Sequence, residues 1–450
     1  MKKTISLLFA LLFLCLCLLP SVGMLLWGES KAGANEILAA APALREKDGS
    51  WNGEYLSDLS AYIRDRFCFR QELITLWNRL NVRLFRSSPA EDVVAGRDGW
   101  LYYADTVPDY TRSEPLTPRE SWCAARTVAL MQEYAESRGC EFLFTLAPDK
   151  ASLYPSHMPD LPVLEGERGA EVFRRELEAM GGNYLDLFSV FSSEQTELYW
   201  HTDSHWNGQG AALAADALLE RLGRDGGWRE GGFAGAEPHR GDLYEMLYPA
   251  GTETEPDYAP ASGFSFDYTR PFRGPTDLRI ETACAGGEGS LLCFRDSFGN
   301  NLYPYLAERF AAALFSRQNA YDLTAIDSRS ADTVVIELVE RNLRYLLKYD
   351  PVFPAPVREA PEAAERLTEA VSAEAVRSSG QVTLRGTLPT AADDDSPIYI
   401  FCGGAWVEAL PRPVGFALTL PEEISLSGIE LVYFSEGRCI SASVSVMEKE

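Results

Sequence analysis

The sequence is poor in positive charge. Its 41 Lys and Arg stand against 66 Asp and Glu, a formal net charge of -25 over 450 residues. Such a chain repels a phosphate backbone, which argues against nucleic acid as a partner. Bulk charge of this sign also argues against docking on an anionic membrane surface. No CxxC pair occurs, so neither a zinc ribbon nor a thioredoxin-type redox site is indicated. No internal repeat is found. Histidine is limited to four residues: His157, His201, His205 and His239. Gly, Pro and the charged and apolar fractions are ordinary, which excludes a collagen-like, low-complexity or wholly disordered chain. The length suits two or three domains with a large core.

Met1-Lys2-Lys3-Thr4 is followed by a largely apolar stretch over residues 5–27 that resumes after Pro20. A basic start before an apolar run reads as an export signal, and the run is long enough to span a bilayer. The expectation is a signal-anchor over 1–30, with a cleaved signal as the alternative, and the bulk of the chain outside the cytoplasm. Nine cysteines are present, two of them, Cys15 and Cys17, in the apolar stretch. Of the other seven, Cys402 and Cys439 are a plausible pair, while most read as small buried hydrophobes.

Residues 31–54 read as a linker. Leu56, Leu59, Tyr62 and Ile63, then Leu73, Leu76, Trp77, Leu80 and Leu84, recur at helical spacing, which predicts one or two amphipathic helices. Gly96-Arg97-Asp98-Gly99 between apolar residues predicts a hairpin. Thr117-Pro118-Arg119-Glu120 combines an N-cap hydroxyl, Pro at the first helical position and Glu at the third, and the helix it starts should end at Gly139. Strands are expected over 142–146, 184–188, 291–294 and 334–338. They alternate with helices over 170–180, 209–222, 301–311 and 341–347. This alternation implies an α/β domain over 55–350, a mostly parallel sheet with helices on both faces. Past Pro351 the pattern changes: a linker with a short acidic helix near 360–375 (351–378), then short β-like runs forming a small sandwich-like all-β domain over 379–450.

Two histidines fall in one segment, Tyr199-Trp200-His201-Thr202-Asp203-Ser204-His205-Trp206-Asn207, just before a helix. That places them in a loop at the C-terminal edge of the sheet, where sites in open α/β folds sit. Asp203 beside His205 can fix its tautomer and hold it as a general base. Leu291-Leu292-Cys293-Phe294-Arg295-Asp296-Ser297-Phe298-Gly299 runs a strand into a tight turn that carries Ser297 to a helix start, where free N–H groups stabilise an oxyanion. Ser297, His205 and Asp203 would together serve acyl transfer. Each has a plainer reading: Ser297 as an N-cap, His205 as a hydrogen-bonded loop residue. Lys150 and Tyr154 after a strand end, Trp206 as a sugar-stacking ring, and Arg240 bordering the cleft are substrate-binding candidates. Each equally suits a structural role. His201 and His205 lack the helix and the adjacent Glu of a zincin, so no metal is expected, and no cofactor is called for.

Tyr199-Trp200-His201-Thr202-Asp203-Ser204-His205-Trp206 resembles the signature of the DHHW family, with Ser204 where the first His stands. That family is similar to the AlgJ/AlgX-type alginate O-acetyltransferases, whose fold is SGNH-hydrolase-like in a permuted order. Gly96-Arg97-Asp98-Gly99-Trp100-Leu101-Tyr102-Tyr103 resembles the family's hairpin. Ala147-Pro148-Asp149-Lys150 resembles its strand-to-loop segment, with Asp149 where Asn is expected, and Arg295-Asp296-Ser297-Phe298-Gly299 its nucleophile block. The resemblance covers residues 55–348. It implies Ser297 as the acetyl-accepting nucleophile, His205 as base and Asp203 as its orienting partner, with the Ser297 N–H as an oxyanion donor. It also implies a membrane-bound O-acyltransferase that relays acetyl groups across the membrane. The expected activity is O-acetylation of an exopolysaccharide or cell-wall glycan by a membrane-anchored, extracytoplasmic enzyme. An acetylesterase with the same triad and a non-catalytic glycan-binding or scaffold protein are the alternatives.

Overall fold

The first helix of the computed structural model is α1 (Lys2–Trp27). The structure describes residues 2–33, 36–359, 361–362, 365–378 and 380–449, excepting the side chains of 2–4, 12, 15–17 and 19–21. Among the described residues no helix is long and apolar enough to cross a membrane. The anchor expected over 1–30 rests in part on side chains outside that set. The helical period over 56–84 resolves into α2 (Tyr55–Arg66) and α3 (Arg70–Phe85). Phe69, at φ 65°, turns the chain between them. The predicted hairpin pairs β1 (Val93–Ala95) with β2 (Leu101–Tyr103), its turn carried by positive φ at Asp98 and Gly99.

α4 (Pro118–Ser137) starts as its sequence dictates. Thr117 accepts from the Glu120 N–H, and Glu120 accepts from the Thr117 N–H. Gly139, at φ 77°, follows its end. β3 (Glu141–Ala147), α5 (Gly169–Ala179), β4 (Tyr184–Leu185), α6 (Gly208–Arg221), β5 (Asp267–Tyr268), β6 (Arg279–Ala283), β7 (Ser290–Phe294), α7 (Gly299–Ala307), β8 (Ala312–Ser316) and β9 (Thr333–Val339) complete the α/β domain. Its seven-stranded sheet has the order β4-β3-β9-β7-β8-β6-β5. The first five strands run parallel, and β6 and β5 add antiparallel.

Both faces of the sheet are covered, which is why its central strands are apolar without interruption. Leu143, Cys293 and Val335 face a core shared with α6 and α7. Phe142, Phe144, Leu292, Val334 and Ile336 face a core shared with α4 and α5. The strand expected over 184–188 is cut to two residues, because Leu187–Ser192 turns helical under an Asp186 cap.

The C-terminal part is not a sandwich. β10 (Glu365–Arg366), β11 (Val371–Ser378), β12 (Gln381–Thr387), β13 (Ile398–Cys402), β14 (Ala405–Arg412), β15 (Gly415–Pro421), β16 (Glu430–Ser435) and β17 (Arg438–Lys449) form one sheet, in the order β10-β17-β11-β12-β15-β14-β13-β16. β16 also pairs with β17, which closes seven strands into a barrel. Closure removes the free edges that a sandwich would keep. The helix expected near 360–375 is instead strand at Glu365–Arg366 and Val371–Ser378, and residues 360, 363 and 364 lie outside the described set. The Cys402–Cys439 pair does not form, and all seven described cysteines outside α1 are free and buried. β16 runs between β13 and β17, with Phe401 beside Glu430 at one end and Cys439 beside Phe434 at the other, so two strand spacings across and about five residues along the strand separate the two thiols, beyond disulfide reach.

Candidate active site

Three neighbouring parallel strands, β3, β9 and β7, end at the same edge of the sheet. The segments that follow them carry Asp149 and Lys150, Glu340 and Arg341, and Asp296 and Ser297. Asp296 fixes the serine turn. Its carboxylate accepts from the N–H of Phe298 (2.9 Å), the N–H of Val339 (2.8 Å) and the Asn342 amide (3.1 Å), so the turn after β7 is tied to the end of β9. Arg295, buried behind it, donates to Asn300 and to the carbonyls of Pro275 and Asp277. α7 opens two residues past Ser297, and Ser297 is half-buried.

The histidine segment is a closed loop. Tyr199 bridges Trp206, and Asn207 caps α6 through the N–H groups of Gln209 and Gly210. At its centre lies Asp203, buried. One carboxylate oxygen accepts from the His205 backbone N–H (2.8 Å) and faces His205 Nδ1 at 2.7 Å. The other faces His239 Nε2 at 2.8 Å and accepts from the Asp242 N–H at 2.9 Å. Burial opposes ionisation of Asp203, yet the two imidazoles outweigh it and hold the carboxyl well below its usual range. His205 Nδ1 is thereby fixed, while its Nε2 is buried and has no hydrogen-bond partner. Ser297 and His205 line one cleft of about 300 Å³ together with Tyr103, Asp242, Arg317 and Arg341.

Trp206 holds the two segments together. It is fully buried, and its indole N–H donates to the Phe298 carbonyl at 3.1 Å, while its own carbonyl accepts from Asn301 at 3.0 Å. It packs against Phe298 and Phe191 and so presents no face to a sugar. Lys150 is likewise no cleft residue. Its ammonium is buried and donates to the carbonyls of Trp200, His201 and Asp203 at 3.1, 2.9 and 2.5 Å, bracing the loop from beneath. Burial pushes it down to about 7 against the opposing pull of Asp203 and Asp242. The Tyr154 hydroxyl accepts from the Leu198 N–H, and its ring packs on Trp100 and Tyr199. Arg240 pairs with Glu245 and donates to the Pro249 carbonyl, away from the cleft lining.

Sequence reasoning missed three residues. His239 stacks on Trp200, with ring centroids 3.7 Å apart, and supplies the second imidazole on Asp203. Burial disfavours its charge, but the bond to Asp203 prevails and raises it. Asp242 binds both the N–H (2.8 Å) and the hydroxyl (2.6 Å) of Ser204, the residue that departs from the DHHW pattern. Both lie more than 30 residues from Asp203, so no local motif marks them. Arg341 is half-buried at the cleft, pairs with Asp149 at 2.8 Å, and lies over the rings of Tyr103 and Phe298. Asp149, where Asn was expected, is thus a partner of Arg341 rather than a free loop group, and burial raises it to about 6.

Asp203, His205 and Asp242 present three possible ligand atoms within 4.8 Å of one another. The carboxylates are already satisfied by N–H and O–H donors. That donor set suits an oriented imidazole better than a cation.

Residues 93–270 match the family described as an SGNH hydrolase-like domain, acetyltransferase AlgX. The match takes in the hairpin, Asp203, His205 and Asp242, and stops before Ser297. The chain is 25% identical over 177 residues to a probable alginate O-acetylase, AlgJ, of Pseudomonas aeruginosa, an alignment covering 39% of this chain and 43% of that protein. It therefore spans less than half the length of that relative. Among solved structures, PatB1 of Bacillus cereus is 18% identical with a TM-score of 0.45, covering 56% of this chain and 96% of PatB1. A DHHW family protein from Eubacterium siraeum is 16% identical with a TM-score of 0.40, covering 51% and 90%. The expected resemblance to the DHHW and AlgJ/AlgX proteins is borne out.

Proposed function

We propose that this chain transfers an acetyl group through Ser297 to a hydroxyl of an exopolysaccharide or cell-wall glycan, outside the cytoplasm. One observation carries the reading. His205 is held at Nδ1 by a buried carboxylate and keeps its Nε2 unpartnered in the cleft that Ser297 lines. A general base needs that arrangement.

In the proposed reaction the Ser297 hydroxyl attacks the acetyl carbonyl of the donor, and His205 Nε2 takes its proton. The tetrahedral oxyanion is received by the Ser297 N–H and by the positive field of Arg341 and Arg317. The intermediate collapses, the donor's leaving group takes the proton from His205, and acetyl-Ser297 remains. A sugar hydroxyl then attacks this ester. His205 accepts the hydroxyl proton and returns it to Ser297 Oγ as the acetylated sugar leaves. Asp203 orients the imidazole and stabilises its charged form throughout. A membrane-bound O-acyltransferase as acetyl donor, and export directed by residues 1–30, belong to the same proposal.

The test is incubation of the full chain with a chromogenic acetyl ester, with and without an oligosaccharide, beside Ser297→Ala. Protein and sugar are both weighed by intact mass. Acetyl found on Ser297 and then on the sugar supports the transferase. Release to water alone favours an acetylesterase with the same residues. No difference between wild type and variant favours a glycan-binding scaffold.

A further inference from the structure

α3 buries little apolar surface. Val82 packs on the cluster of Leu101, Leu243 and Leu247, but the two residues it buries fully are polar: Thr75 and Asn78 bond to the backbone of residues 247–250 (Asn78 to the Leu247 carbonyl at 2.7 Å, Ala250 N–H to Thr75 at 2.9 Å). The opposite face carries Leu73, Leu76, Trp77, Leu80 and Leu84, spaced as one helical stripe and each between 46% and 67% exposed. A surface helix normally does the reverse, and an apolar stripe left outside marks a place of attachment.

We infer that this stripe lies in the surface of an anionic lipid bilayer. Three observations name that occupant. First, charge: of the six Arg in residues 64–86, Arg64, Arg66, Arg70 and Arg79 pair with Asp65, Glu29, Glu36 and Glu253, which leaves Arg83 and Arg86 beside the stripe in a chain whose net charge is -25. Arg83 and Arg86 stand exposed beside the end of the stripe. Leucines and a tryptophan flanked by arginines form the pattern of an interfacial helix. Second, continuity: Trp27 at the end of α1 meets Phe69 just before α3, ring centroids 5.7 Å apart, and Leu25, Leu26 and Trp27 are themselves exposed. Third, size: a 16-residue helix is about 24 Å long. One face of it falls well short of the roughly 800 Å² per partner that a stable protein interface buries. The repulsion expected from bulk charge does not apply to this face, because exposed charges more than about 8 Å away are screened at physiological salt.

The full chain is reconstituted in vesicles of phosphatidylcholine and phosphatidylglycerol, with photoreactive benzoylphenylalanine at Leu80 or, as a control, at the exposed barrel residue Val414. Irradiation should give lipid adducts from position 80 and none from 414. Adducts from position 80 should fall at least roughly tenfold with Leu76→Glu and Trp77→Glu together, and severalfold in pure phosphatidylcholine. Both substitutions are on exposed side chains, so an unchanged melting temperature shows that the fold survives. Adducts from position 80 to a second protein chain, or to nothing, overturn the inference, as does a lipid yield indifferent to the two glutamates.

Discussion

Trp206, the residue after His205, donates its indole N–H to the carbonyl of Phe298, the residue after Ser297. The histidine and serine segments, 92 residues apart in the chain, are therefore joined by this buried hydrogen bond and by the Asn301 amide on the Trp206 carbonyl. Trp206→Phe removes the donor and part of the buried indole. Stability should fall by roughly 2–4 kcal/mol, from the lost bond and the cavity together, and ester hydrolysis should fall disproportionately, by tenfold or more. Melting and turnover measured on one preparation separate the effects. A wild-type rate would show that the bond only packs the loop.

Ser297→Ala should abolish acetylation of the protein and leave the melting temperature in place. Asp203→Asn should slow hydrolysis by roughly 10²–10⁴, because Asn would offer an N–H where His205 needs an acceptor. It should also lower stability, since two imidazoles lose their carboxylate. Turnover within threefold of wild type in Asp203→Asn would remove Asp203 from the proposed role.

Lys150 gives a pH signature. Burial pushes its ammonium down to about 7, against 10.5 for a free lysine. Between those values the unfolded chain binds a proton that the folded chain does not, so stability attributable to Lys150 rises with pH from 7 toward 10 and levels off below 7. Lys150→Met should flatten this slope. It should also lower the melting temperature overall, because the loop carbonyls of residues 200, 201 and 203 lose their donor. Parallel melting curves of the two proteins against pH would contradict this.

Gly241 lets the Asp242 segment approach the histidine loop. A Cβ there would stand 2.2 Å from the Thr202 carbonyl oxygen and 2.4 Å from its carbon. Gly241→Ala should push the Asp242 N–H off Asp203, cost about 1–3 kcal/mol and reduce hydrolysis more than it affects ester binding. A kcat and KM pair equal to wild type would show that the backbone can yield.

Glu408 joins the two domains. Buried at the barrel surface, it takes Arg126 at 2.7 and 2.6 Å and Arg358 at 3.0 Å. Glu408→Ala leaves Arg126 without its carboxylate, while Arg358 keeps Glu133, and should cost about 1–3 kcal/mol. Calorimetry should then resolve two unfolding transitions. One cooperative transition at the wild-type temperature would show that the interface holds without it.

The sequence announced features whose cause is local. The Thr117–Glu120 cap, the Asp98–Gly99 turn and the apolar strands β3, β7 and β9 depend on neighbouring residues, and each was read close to its observed limits. Val371–Ser378 failed for the opposite reason. Its Ala and Glu favour a helix, but Val371, Ala373 and Ala375 alternate inward once β12 and β17 flank them, and pairing overrides propensity. β6, one strand in from the edge, reads as polar because Arg279 and Glu281 alternate with the buried Ile280 and Thr282. At the site, Asp203 and His205 could be joined on paper because they are two residues apart. Lys150 was placed in the cleft because the three carbonyls it serves lie about 50 residues downstream.

The barrel sets an order of events during synthesis. β17 lies parallel to β11 and closes against β16, so its two neighbours begin at residues 371 and 430 while it runs to residue 449 itself. On a ribosome, the α/β domain has all its strands by residue 339, some 100 residues before β17 is made. The barrel must wait as unclosed ribbons until that last strand clears the exit tunnel. A nascent-chain stall placed before residue 438 should therefore carry a folded α/β domain and an open, protease-sensitive tail.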